Sequence, residues 1–112
     1  MEKRLKIRIS YGPNTAMGPG KADLLEAIIE CGSISKAAQK MNMSYRRAWE
    51  LVNVMNESFI SPIIITSHGG SHGGGAFLSD LGLNILQSYR LLEKNMTLSV
   101  KKELDYLFNQ LK

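Results

Sequence analysis

One cysteine stands in 112 residues, so no internal disulfide can hold the fold, and a reducing, cytoplasmic compartment is expected. Cys31 closes the apolar run Leu25 to Cys31, where a buried and unreactive thiol is expected. No stretch of about eighteen apolar residues occurs, so no membrane partner is expected. The opening Met1-Glu2-Lys3-Arg4-Leu5-Lys6 alternates charged and apolar residues and lacks the apolar core of a secretion signal. The glycine-rich stretch lacks both the Walker pattern and Gly-x-Gly-x-x-Gly, so no nucleotide cofactor is expected. No local Ser/His/Asp or Cys/His set suggests nucleophilic catalysis, and the chain is too short for a doubly wound or barrel enzyme. The expected protein is a single non-enzymatic domain without a cofactor.

What is present is ordinary globular composition with a basic balance. Apolar residues make up 44% and charged residues 21%, which favours a packed core over disorder. Fourteen Lys and Arg against ten Asp and Glu leave a net charge of +4, which tilts the expectation towards a polyanionic partner.

Periodicity then divides the chain. Lys3 to Ile9 alternates strictly, with Leu5, Ile7 and Ile9 on one face and Arg4, Lys6 and Arg8 on the other, predicting a half-buried strand with a cationic outer face. Gly12, Pro13, Asn14, Gly18, Pro19 and Gly20 predict a loop. Ala22 to Cys31 spaces Leu25, Ile28 and Ile29 as one helical face, and Gly32 stands where a left-handed C-cap is wanted. Ser33 is an N-cap for a short helix to about Met41, with Ala37, Ala38 and Met41 inward. Asn42-Met43 forms a tight turn, and Ser44 caps a helix to about Ser58, with Ala48, Leu51, Val52, Met55 and Phe59 in one apolar stripe. Pro62 ends the helical region, and Ile63 to Thr66 and Ala76 to Ser79 read as two strands of a hairpin. The first strand is expected to join them in one small sheet. Ser79-Asp80 opens a long helical region, with a break at Thr97-Leu98-Ser99.

Two short helices joined by a tight turn make a helix-turn-helix, whose second helix leads with Ser44-Tyr45-Arg46-Arg47. Arginine bonds bidentately to guanine O6 and N7 or to phosphate, and the positive end of the helix dipole adds attraction for phosphate. Tyr45 can stack or donate its hydroxyl. The hairpin that follows reads as a wing, because glycines in Ser67-His68-Gly69-Gly70-Ser71-His72-Gly73-Gly74-Gly75 let backbone amides approach a sugar-phosphate chain. Trp49 flanks the apolar stripe and is expected to pack between helix and wing, while Tyr89 and Tyr106 suit a core or a dimer interface. The fold class expected is α+β: a winged helix-turn-helix with a small antiparallel sheet and a long C-terminal helical region.

Leu24-Leu25-Glu26-Ala27-Ile28, Gly32-Ser33-Ile34-Ser35-Lys36-Ala37-Ala38 and Met43-Ser44-Tyr45-Arg46-Arg47-Ala48-Trp49 resemble the N-terminal DNA-binding domain of the ModE family. These are molybdate-responsive winged-helix regulators, distantly similar to LysR-type domains. The resemblance continues through Met55-Asn56, Pro62, Gly69-Gly70, Gly73-Gly74-Gly75-Ala76, Leu78-Ser79-x-x-Gly82, Tyr89 and Leu92-Glu93. It implies sequence-specific binding of double-stranded DNA. Ser44, Tyr45, Arg46 and Arg47 would form the recognition entrance, and Ser33, Ser35 and Lys36 the backbone-contacting end of the preceding helix. The wing would contribute Ser67, His68, Ser71 and His72. It also implies a homodimer on a palindromic operator, with the first and last helices of the domain in the dimer contact. Residues 1–96 would form the DNA-binding domain and 97–112 a helical extension. Full-length members carry C-terminal oxyanion-binding domains, and Lys112 follows Met96 too soon for one, so no oxyanion is expected on this chain. Where the family's wing often has basic residues, this loop has His68 and His72, so the wing contact would either be weaker or strengthen as pH falls.

Two other readings stay open. The apolar face Val100, Leu104, Leu107, Phe108 and Leu111 would suit a protein-interaction module that keeps the fold. His68 and His72 would suit a small metal-binding or hydrolytic protein, although no neighbouring Cys, Asp or Glu offers a third ligand.

Overall fold

The computed structural model describes residues 1–68 and 74–112. Its elements run β1 (Ile9–Tyr11), β2 (Asn14–Met17), α1 (Pro19–Cys31), α2 (Ile34–Lys40), α3 (Tyr45–Ser58), β3 (Ile64–Ser67), β4 (Gly75–Leu78), α4 (Asp80–Ser99) and α5 (Lys101–Asn109). The architecture is α+β, as expected. Among the described residues no helix is long and apolar enough to cross a membrane.

The N-terminus departs from the expected strand. Only Ile9–Tyr11 pairs, as a hairpin with Asn14–Met17 across Gly12 and Pro13. The partner strand stops at Met17 because Gly18 and Pro19 begin α1, and residues 3–8 have no strand partner among the described residues. Their alternation survives as burial: Leu5 and Ile7 are half-buried, while Arg4, Lys6 and Arg8 are exposed. The segment is tied down instead by Tyr89, whose hydroxyl donates to the Ile7 carbonyl at 2.5 Å, and by Lys3 Nζ, which donates to the Phe108 carbonyl at 3.0 Å.

The expected three-stranded sheet is likewise two separate hairpins, β1–β2 and β3–β4. The outer edge of β4 is taken by the α1–α2 junction, where Ala76 N donates to the Gly32 carbonyl at 2.9 Å. Gly32 holds φ 77°, the left-handed C-cap its position called for. A two-stranded ribbon is marginal alone, and this one is supported by burying Ile63, Ile64, Ala76 and Leu78.

The core gathers Met17, Leu24, Leu25, Ile28, Val52, Met55 and Ile63, all essentially inaccessible. Ala37, Ala38 and Ala48 are also buried, and their small side chains let α2 approach its neighbours. Ile29, expected inward, is half exposed, and Cys31 is partly exposed rather than buried. At Gly82 a Cβ would lie 2.2 Å from the Ile63 carbonyl oxygen, so only glycine lets α4 start against the chain leading into β3. Arg90 ties α4 to α1 through Asp23, at 2.6 Å, and Glu26, and it also bonds Glu93 at 2.9 Å. Burial alone would lower its pKa, but these three carboxylates raise it. The break between α4 and α5 falls at Val100, just after the residues expected to kink.

Candidate nucleic-acid interface

The helix-turn-helix is built by local signals. Ser33 Oγ accepts from Lys36 N at 3.1 Å and caps α2. Asn42 takes φ 56° in the turn, a conformation asparagine tolerates better than most residues. Ser44 Oγ accepts from Arg47 N at 3.0 Å and caps α3. The first turn of α3 therefore begins abruptly, and its side chains stand clear of the body. Tyr45, Arg46 and Arg47 are all exposed, with the Arg46 side chain 91% accessible.

This leading turn is a ridge between two clefts. On the wing side lies a cleft of about 500 Å³ bounded by Ser33, Ser35 and Lys36 of the α2 end, Tyr45 and Trp49 of α3, and Thr66, Ser67, His68, Gly74 and Gly75 of the hairpin. Six of the expected site residues thus face one space, brought there by three different elements. The edge of one ring meets the face of the other between Tyr45 and Trp49, at 6.2 Å and 77°. Trp49 is half-buried against the core and lines the cleft that the hairpin residues bound.

Arg46 and Arg47 do not line that wing-side space. Both lean on Glu50, at 3.4 and 3.6 Å, in exposed pairs of the kind that contribute little and are readily exchanged for another anion. Arg47 lines the other cleft, with Arg4, Lys6, Arg8 and Lys21. Ser71 and His72 lie outside the described residues, so the candidate metal pair His68 and His72 does too in part.

Asn56 was not singled out as a functional position by sequence, yet it fixes the β3–β4 hairpin to α3. Its Oδ1 accepts from Ile63 N and Ile64 N, each at 2.9 Å, and its Nδ2 donates to the Ile64 carbonyl at 3.0 Å. One side chain near the end of α3 thereby acts as a strand partner for the start of β3. At the base of the loop, a Cβ on Gly74 would stand 2.1 Å from the Ser67 carbonyl oxygen, and Gly75 N donates to Ser67 Oγ at 3.2 Å. Close strand approach is what that glycine provides.

No family model matches the chain. Among curated proteins it is 37% identical over 88 residues to the molybdenum transport protein ModE of Azotobacter vinelandii, covering 79% of this chain and 33% of that one. It is 38% identical over 92 residues to the DNA-binding transcriptional dual regulator ModE of Escherichia coli K12, covering 82% and 35%. It is also 38% identical over 76 residues to the transcriptional regulator ModE of Haemophilus influenzae, covering 68% and 30%. The similarity to ModE regulators indicated by the motifs therefore extends through most of the chain, which spans about a third of the length of these relatives. A solved structure of a Lactococcus lactis ZitR variant superposes with a TM-score of 0.55 at 16% identity, covering 94% of this chain and 68% of that one. That likeness is one of fold, the winged helix.

Proposed function

We propose that this chain binds double-stranded DNA as a ModE-like transcriptional regulator in the cytoplasm, without catalysis. The first turn of α3 enters the major groove, and the wing lies along the neighbouring backbone. The observation that carries this reading is the exposed Tyr45-Arg46-Arg47 turn, capped by Ser44 and standing between two clefts, with Tyr45 on the one bounded by the α2 end and the hairpin and Arg47 on the other. Arg46 projects furthest and is assigned to a base edge, where a guanidinium can bond guanine O6 and N7 together. Lys36, Ser33, Ser35, Ser67 and His68 are assigned to the sugar-phosphate chain, which sets register without reading sequence. ModE relatives named as transcriptional regulators support the same reading.

The chain works as a homodimer on a palindromic site in this proposal. Residues 1–96 form the reading head and 97–112 a helical extension in the dimer contact. Support comes from the apolar side chains left exposed on the last two helices, among them Leu83, Leu91 and Leu98 on α4 and Tyr106 and Leu107 on α5. Half-sites would then lie about 34–36 Å apart or a multiple of that.

The test is replacement of the two arginines. Arg46→Ala is expected to cost about 1–3 kcal/mol of duplex affinity with base preference relaxed at the position read, and Arg47→Ala to weaken binding about equally across sequences. Unchanged affinity in both variants contradicts the assignment.

A further inference from the structure

We infer that the cleft on the far side of α3 from the wing is a second DNA-backbone surface, formed by Arg4, Lys6, Arg8, Lys21 and Arg47 and taking the phosphates of the strand that borders the recognition helix there. This rests on the DNA-binding reading and deepens it.

The cleft is about 570 Å³ and is reached by cations from three places: the unpaired N-terminal segment, the first turn of α1 and the first turn of α3. Arg47 belongs to the leading turn itself, so the cleft is continuous with the ridge between the two clefts. A helix lying in a major groove has a phosphate chain on either side, and the wing covers only one of them. Positive charge on the other flank is what the second chain would require.

Three of these five cations have no counter-charge among the described residues, while Arg4 pairs with Glu2 at 3.7 Å and Arg47 with Glu50 at 3.6 Å in exposed pairs that are readily exchanged for another anion. Lys6, Arg8 and Lys21 form no ion pair there, and the carboxylate in the cleft wall, Asp23, is held by Arg90. The Lys21 ammonium is pushed below its ordinary pKa by partial burial and by the nearby Arg47 and Arg8 guanidiniums, as expected where cations crowd together. Arg4, Lys6 and Arg8 alternate along a segment that can reach across at most about 14 Å. A row of charge on that scale suits a polymer of phosphates better than one small anion. Tyr89 and Lys3 hold this segment against α4 and α5, which orders the row before any ligand arrives.

The experiment compares the full native chain with the combined variant Lys6→Gln/Arg8→Gln/Lys21→Gln, titrated with a 30-base-pair mixed-sequence duplex at several salt concentrations. The variant is expected to lower the slope of log affinity against log salt by two to three, at about 0.9 for each phosphate no longer neutralised. A fourfold rise in salt then weakens the native chain by about 40-fold more than the variant. The charge-preserving variant Lys6→Arg/Arg8→Lys/Lys21→Arg is expected to keep the native slope. A native chain that binds steeply while the glutamine variant shows the same slope overturns this inference and leaves the DNA reading standing. A native chain that does not bind the duplex overturns both. Loss of slope in the charge-preserving variant as well would assign the effect to folding and overturn the inference. A parallel titration with inorganic phosphate separates the sources. Phosphate bound by the native chain and not by the glutamine variant, with duplex slopes equal, would assign the cleft to a free anion instead of DNA.

Discussion

The two flanks of α3 are built on opposite plans. The wing flank is made of hydroxyls, glycines and backbone, held in place by directed hydrogen bonds: Asn56 to β3, and β4 to Gly32. The N-terminal flank is made of charge on a segment with no strand partner, fastened by the Tyr89 and Lys3 hydrogen bonds. Position is specified on the first flank by several bonds to one strand, and on the N-terminal segment of the second by two side-chain bonds. A surface that must sit at a fixed height beside a groove needs the first plan. A surface that only neutralises phosphates tolerates the second, because Coulomb attraction varies gently with distance.

Two substitutions sharpen this contrast. The larger effect is expected on the wing flank. Asn56→Ala leaves two amides and one carbonyl at the start of β3 without their partner, at a cost of about 2–3 kcal/mol in urea unfolding. It should also weaken duplex binding, since the wing loses its tie to α3. A loss below about 0.5 kcal/mol would mean that burial of Ile63 and Ile64 positions the strand unaided.

The smaller effect is expected on the other flank. Tyr89→Phe removes the bond to the Ile7 carbonyl, at a cost of about 1 kcal/mol at neutral pH. Burial, with Glu93 adding to it, raises the Tyr89 pKa above the usual 10.0. A group whose pKa is raised on folding contributes fully below its unfolded value and loses that contribution as pH climbs through its folded value. The stability gap between native chain and variant should therefore hold up to about pH 10 and close above it. No gap at neutral pH would show that the tyrosine acts by packing alone.

The same contrast explains what could be read from sequence. The helix-turn-helix is specified by residues adjacent in the chain: Ser33 and Ser44 as caps, Gly32 and Asn42 at turns, and alanines where helices meet. Each signal acts within one turn of itself, so its position is visible without the fold. The N-terminal strand was not legible because a strand is a property of two segments. Residues 3–8 carry the alternation of one, but Gly18-Pro19 removes the partner. Asn56 was missed for a related reason, since its partners Ile63 and Ile64 come into reach only when the chain folds back at Pro62. The cationic outer face of the first segment was visible, yet its meeting with Lys21 and Arg47 depends on the fold bringing the first turns of α1 and α3 to one cleft.

Selection of bound sequences from a random DNA pool tests the central claim most directly. Enrichment of a palindrome whose halves lie about one helical turn or a multiple apart is expected, bound with affinity that falls steeply as salt rises. A pool that stays random, with binding indifferent to salt, would contradict it and favour a protein partner for the exposed apolar face of α5.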